Sequence, residues 1–180
     1  MIRLNTLGRL EIDGIPNRSA QEILRQPKRF ALLVHLALAA DDDQYVRRDV
    51  LLALFWPSSD ERRARRALNQ ALCFLRARLG HDTLLSRGNE EVGVAGEEVW
   101  CDARVFREVI EAGRLEDGLQ LYKGDFLPGF HVDDALEFEH WADALRRELR
   151  DRAVDAAVAL AEQAADAGDG APLRARLREA

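Results

Sequence analysis

With 180 residues, 47% hydrophobic and 32% charged, the chain can hold one or two small domains with a real core. Its longest apolar run, residues 30–40, is broken by His35 and too short for a bilayer; no leader pattern follows Met1; and Cys73 and Cys101 alone make no disulfide framework. A cytoplasmic protein without a membrane partner is therefore expected. The net charge of −6 is unevenly spread: residues 1–95 hold 15 basic and 12 acidic side chains, the remainder 11 and 20, which suggests two parts with different partners.

Met1–Asp13 carries Ile2 and Leu4, then Leu10 and Ile12, around Gly8. This is the pattern of two short strands joined by a turn. Residues 14–26 read as a loop or a ragged strand, because Pro16, Asn17 and Ser19 are turn formers. Pro27 opens a helix, with Phe30, Leu33, Val34, Ala37 and Leu38 on its buried stripe and Asp41–Asp43 at its end. Lys28 and Arg29 stand at its start, where a phosphate would meet the helix dipole and two cations; plain solvation is the competing reading. A second helix is expected from about Arg47 to Phe55, with Val50, Leu51, Leu54 and Phe55 inward and Trp56–Pro57 closing it.

The stretch Ser58–Gly80 reads as one long helix. Ser58 with Glu61 three residues on forms a capping box, and Gly80 is free to take the positive φ of a helix end. Ala64, Leu68, Ala71, Leu72, Leu75 and Leu79 share one stripe at the 3.6 period. Arg62, Arg66, Asn69, Gln70 and Cys73 share the opposite side, flanked by Arg63, Arg65 and Arg76. A guanidinium can bond two acceptors of guanine in the major groove, and a carboxamide can do the same for adenine. A solvated, Arg-rich face is the plainer alternative. Beyond Gly80, residues 83–86 and 92–95 are β-prone, and Arg87-Gly88-Asn89 between them signals a hairpin. Strands, three helices with the last one basic, and a hairpin make a winged helix-turn-helix, whose last helix enters the major groove. Arg87 and Asn89 at the wing tip are candidate backbone or minor-groove contacts, or Arg87 is a turn residue without a role.

At this point the chain resembles a known family. LNTLGRLEIDG, PKRFALLVHLAL, VRRDVLLALFWP and ERRARRALNQALCFLRARLG look like the DNA-binding half of the Streptomyces antibiotic regulatory protein type, whose winged helix is similar to that of OmpR-like response regulators. VWCDARVFREVIEAG, LYKGDFLPGF and FEHWADALRRELRDRAVDAAVALAE are similar to its bacterial transcriptional activator domain, built from tetratricopeptide-like helix pairs. The resemblance implies a mainly α fold with small β: a winged-helix domain over residues 1–96 and a tetratricopeptide-like domain, shorter than usual, over 97–180. It also implies binding to direct repeats of double-stranded DNA as a head-to-tail homodimer, and contact with RNA polymerase.

Read on its own residues, the second half begins with Asp102 capping a helix over 103–112, with Phe106, Val109 and Ile110 inward and Gly113 at its end. Residues 115–122 form a partner helix. The apolar loop 124–130 packs through Phe126, Leu127 and Phe130. A long helix then covers about 136–167, with Phe138, Trp141, Leu145, Leu149, Val154, Val158 and Ala161 buried; Gly168 and Gly170 stop it, and Pro172 begins a last helix to Arg178. The acids Glu137, Glu139, Asp143, Glu148 and Asp151 keep this half soluble and off DNA, or face a basic partner.

His35, His81, His131 and His140 show no metal-ligand spacing with the cysteines, and no phosphate loop, dinucleotide fingerprint or nucleophile elbow is present. The expectation is a sequence-specific DNA-binding regulator and not an enzyme, with no cofactor and no metal. Arg62, Arg66, Asn69, Gln70 and Cys73 would face bases; Lys28, Arg29, Arg63, Arg65, Arg76, Arg87 and Asn89 would face the backbone. The rival is a protein-interaction module whose winged helix is vestigial.

Overall fold

The computed structural model describes residues 1–39 and 45–176, with side chains as far as Ala165. Its first strands, β1 (Ile2–Asn5) and β2 (Glu11–Asp13), pair antiparallel with Leu4 opposite Ile12. The turn between them depends on Gly8, at φ +79°, where a Cβ would meet the Lys123 carbonyl oxygen at 2.6 Å. A third strand that the alternation did not predict, β6 (Val99–Cys101), lies parallel to β1 on its other edge. Ile2 and Leu4 point into the core, while on the outer face the Arg3 guanidinium stacks on Trp100 at 4.4 Å.

Residues 14–26 are not the expected loop or strand: they contain helix α1 (Asn17–Leu24). Pro16 and Ser19 serve its start as readily as they would serve a turn. Ala20 and Ile23 anchor it, and Arg18 pairs with Glu22 one turn on. Helix α2 (Pro27–Leu38) begins at the predicted proline, and all five expected positions are buried, as are Ala31, Leu32 and Leu36. It is apolar nearly all round because other elements surround it. Its expected end at Asp41–Asp43 lies outside the described residues.

Strand β3 (Tyr45–Arg47) precedes α3 (Arg48–Phe55), in which Leu51 and Phe55 are buried and Leu54 half-buried. Val50 is 49% exposed, contrary to expectation; it precedes Leu51 by one residue and so points about 100° away from the Leu51–Phe55 stripe. Helix α4 (Glu61–Leu79) buries the six predicted positions and ends at Gly80, φ +109°. Its cap is Asp60 and not Ser58: the Asp60 carboxylate accepts from the Arg63 amide at 3.0 Å, and the helical ladder starts with Ala64 N–H to the Asp60 carbonyl. Ser59 instead turns back onto the Trp56 carbonyl. Strands β4 (Leu84–Arg87) and β5 (Glu91–Val94) form the wing, and β3 adds to it in the order β3-β5-β4.

Helices α5 (Asp102–Glu111) and α6 (Leu115–Leu121) pack on α7 (Leu136–Arg176). Asp102 is within the first turn of α5 and not before it. Its buried carboxylate accepts from the amides of Thr6, Leu7 and Ala103 and from the Thr6 hydroxyl at 2.6–2.9 Å, tying α5 to the end of β1. Burial pushes its pKa up, opposed by those same bonds. Loop 124–130 packs as expected, with Phe126 and Leu127 fully buried. Arg146 holds it by donating to the carbonyls of Phe126, Leu127 and Phe130 at 2.8–3.4 Å.

Along α7, Phe138, Leu145 and Leu149 are buried and Trp141 half-buried. Val154 and Val158 are 55% and 51% exposed, and Ala161 is exposed too, correcting the expected stripe. Ala153 and Ala156 hold the inward positions; Val154 follows Ala153 by one residue and so points about 100° away from it. The helix also runs through Gly168, Gly170 and Pro172 to Arg176; a glycine weakens a helix by about 1 kcal/mol without ending it. The expected end at Arg178 lies outside the described residues.

One core runs through both halves. Phe55 of α3 stacks on Phe138 of α7 at 5.2 Å, Phe30 meets Phe130 edge-on at 5.4 Å, and His35 meets Trp141 at 4.7 Å. The helix that supports α4 thus rests directly on the long helix of the second half.

Candidate nucleic-acid interface

The apolar stripe of α4 is fastened to the core, so the opposite face is necessarily outward. Arg62, Arg66, Asn69, Gln70 and Cys73 are all exposed there. Among the described residues, Arg62 and Arg66 pair with no acid. Arg63 pairs with Asp60 at 3.2 Å and Arg65 with Glu61 at 2.9 Å, both on the first turn, and Arg78 pairs with Glu22 of α1 at 2.9 Å. No described ion pair joins α4 to an acid beyond residue 96.

The expected backbone residues fall into three places. On the wing side, Arg65 stands on α4, Asn89 at the exposed turn and Arg87 over the Tyr45 ring at 4.0 Å while paired with Glu91. Arg76 is half-buried and acts as a brace, donating to the Ser86 hydroxyl at 2.8 Å and the Leu84 carbonyl at 3.4 Å. On the other flank, the Arg29 guanidinium lies over Phe74 of α4 at 4.1 Å. Lys28 lies 5.9 Å from the Trp56 ring; burial lowers its pKa, and the charges of Asp133 and Asp134 partly restore it.

Sequence reasoning missed Arg48. It opens α3, and its backbone amide donates to the Glu90 carbonyl of the wing turn at 2.8 Å. Its side chain reaches across to α4, where Nη1 donates to Asn69 Oδ1 at 2.8 Å. Arg48, Arg65, Leu68, Asn69 and Asn89 line a notch of about 240 Å³ between α4 and the wing. Burial lowers the Arg48 pKa, the neighbouring charges of Arg76 and Arg65 add to this, and the Glu90 charge opposes it. A cluster of like charges at a surface notch suits an anion. The only sequence signal was the pair Arg47-Arg48 before α3, and nothing in the spacing shows that one of them crosses to α4.

Among the described residues no group of three or more His, Cys, Asp or Glu side chains could hold a metal ion. Cys73 is exposed on α4, whereas burial pushes the Cys101 thiol up to about 12. No helix of the described residues is long and apolar enough to cross a membrane.

No protein-family model matches this chain, and no curated protein matches it in sequence. A solved structure, Mycobacterium tuberculosis EmbR in complex with a low-affinity phosphopeptide, overlays on it with a TM-score of 0.55 and 22% identity. The overlay covers 91% of this chain and 47% of that one, so this chain spans about half the length of its structural neighbour. At that identity the likeness is one of fold: a winged helix followed by a helical domain, mainly α with small sheets.

Proposed function

We propose that the chain is a sequence-specific, double-stranded DNA-binding transcriptional regulator. The observation that carries the reading is the exposed ridge Arg62, Arg66, Asn69, Gln70 and Cys73 on a helix seated in the core, with Arg62 and Arg66 free of acid partners among the described residues. A solvated rod of this width, carrying guanidinium and carboxamide groups, suits the major groove. Arg63, Arg65, Arg76 and Arg87, with Lys28, Arg29 and Asn89, fall on its flanks and would meet phosphates, which fix register without reading sequence. The net charge of −6 does not oppose this, because the acidic excess belongs to the second half. The resemblance to Streptomyces antibiotic regulatory proteins extends the reading to an activator that binds direct repeats as a head-to-tail homodimer and contacts RNA polymerase.

Selection of bound sequences from a randomised duplex library tests it. Two half-sites in the same orientation are expected. Arg66→Ala should cost about 1–3 kcal/mol at one base position. Arg63→Ala should weaken binding to all sequences alike and reduce the steepness of the salt dependence by about one unit. Retention of no duplex at modest salt overturns the reading and leaves a protein-interaction module.

A further inference from the structure

We infer that Arg48 sets the base preference of Asn69, turning a carboxamide suited to adenine into a reader of guanine. The inference rests on the DNA reading above and deepens it.

Bidentate recognition of adenine by a carboxamide needs both its ends: Oδ1 accepts from the adenine N6 amino group while Nδ2 donates to N7. In this structure the two ends are not equally available. Arg48 Nη1 lies 2.8 Å from Asn69 Oδ1. A guanidinium has only donors, so the oxygen must be the end that faces it and the amino group must face away. Arg48 has little freedom to withdraw. Its backbone is tied to the wing turn through the Glu90 carbonyl, and among the described residues its buried Nε has no hydrogen-bond partner and no carboxylate makes an ion pair with it, although the Glu90 charge acts on it.

Two effects then favour an acceptor-only base edge. Nδ2 presents N–H groups outward. The Arg48 charge beside Oδ1 repels the N6 amino group of an adenine and attracts the O6 and N7 acceptors of a guanine. Arg65, which is paired with Glu61, and Asn89 line the same notch, and the Glu90 charge offsets part of the positive charge there. Arg48 is a positioning residue here: it acts through Asn69.

The test is the duplex selection run with the full chain as wild type, Asn69→Ala, Asn69→Asp and Arg48→Met. Wild type should select guanine at the one position whose preference Asn69→Ala abolishes. Arg48→Met should let adenine in at that position, with the guanine-over-adenine ratio falling about tenfold and the preferences elsewhere unchanged. Asn69→Asp keeps a partner for Arg48 but removes both donors, so the same position should move to cytosine, whose N4 amino group donates. Because Asn69 is exposed, this variant carries the test even if Arg48→Met fails to fold. Adenine at that position in wild type, guanine retained in Asn69→Asp, or a uniform loss of affinity in Arg48→Met with guanine intact overturns the inference while leaving DNA binding standing. If wild type retains no duplex, both fall.

Discussion

His35 shows how one side chain can make stability depend on pH. It sits on α2 against Trp141 and Phe55, lining a cavity of about 290 Å³ with Arg107 and Glu148. Burial lowers its pKa from 6.5 to about 4. Above pH 7 the imidazole is neutral in both folded and unfolded chains. As the pH falls from 7 towards 4, the unfolded chain takes up the proton and the folded one does not, so stability declines through that window by about 3 kcal/mol in all. The expected outcome for His35→Phe is a flatter urea-midpoint profile between pH 7 and 4, with the wild type and the variant diverging as the pH falls. The depressed carboxylates Glu22, Asp49 and Asp125 also lose stability as pH falls, but equally in both proteins, so the difference isolates His35.

At the scale of the element, the start of α4 decides how well the reading ridge is held. Asp60 caps it and Ser58 does not. Asp60→Ala should lower stability by about 1 kcal/mol, and Ser58→Ala should change it by less than about 0.5 kcal/mol; urea denaturation of the two variants checks this. The contrast marks the limit of what was legible in the residues. The buried stripe of α4 was fully readable, because 3.6 periodicity reports which face is inward and the core agrees at every position. So were the start and the five expected buried positions of α2, the wing hairpin and the packed loop at Phe126 and Leu127. Residues with two local uses were not: Pro16 and Ser19 begin a helix as well as a turn, and Ser58 and Asp60 both fit a cap. The burial of Ala153 and Ala156 in place of Val154 and Val158 depends on which face of α7 its neighbours cover, which hydrophobicity alone does not record. Strand β6 and the reach of Arg48 to Asn69 depend on pairings 97 and 21 residues apart, beyond any local pattern.

At the scale of the molecule, the winged helix and the helical half are joined through a shared aromatic core and not by a tether. Phe55 and Phe138 stack across that junction, and α3 packs on both α7 and α4. Phe55→Ala and Phe138→Ala should each cost about 3–5 kcal/mol. The double variant should cost less than their sum, by about 0.5–1.5 kcal/mol for the lost aromatic pair. A single melting transition followed by both calorimetry and tryptophan fluorescence is expected; two separate transitions would show independent halves. The parallel pairing of β1 with β6 carries the same unity into synthesis. Ile2 meets Val99 across that sheet, so β1, once made, has no parallel neighbour until nearly a hundred further residues have been added. At about 5–20 residues per second that wait lasts on the order of 5–20 s. During it β1 carries an unpaired edge, the kind of template on which a strand of another chain can add.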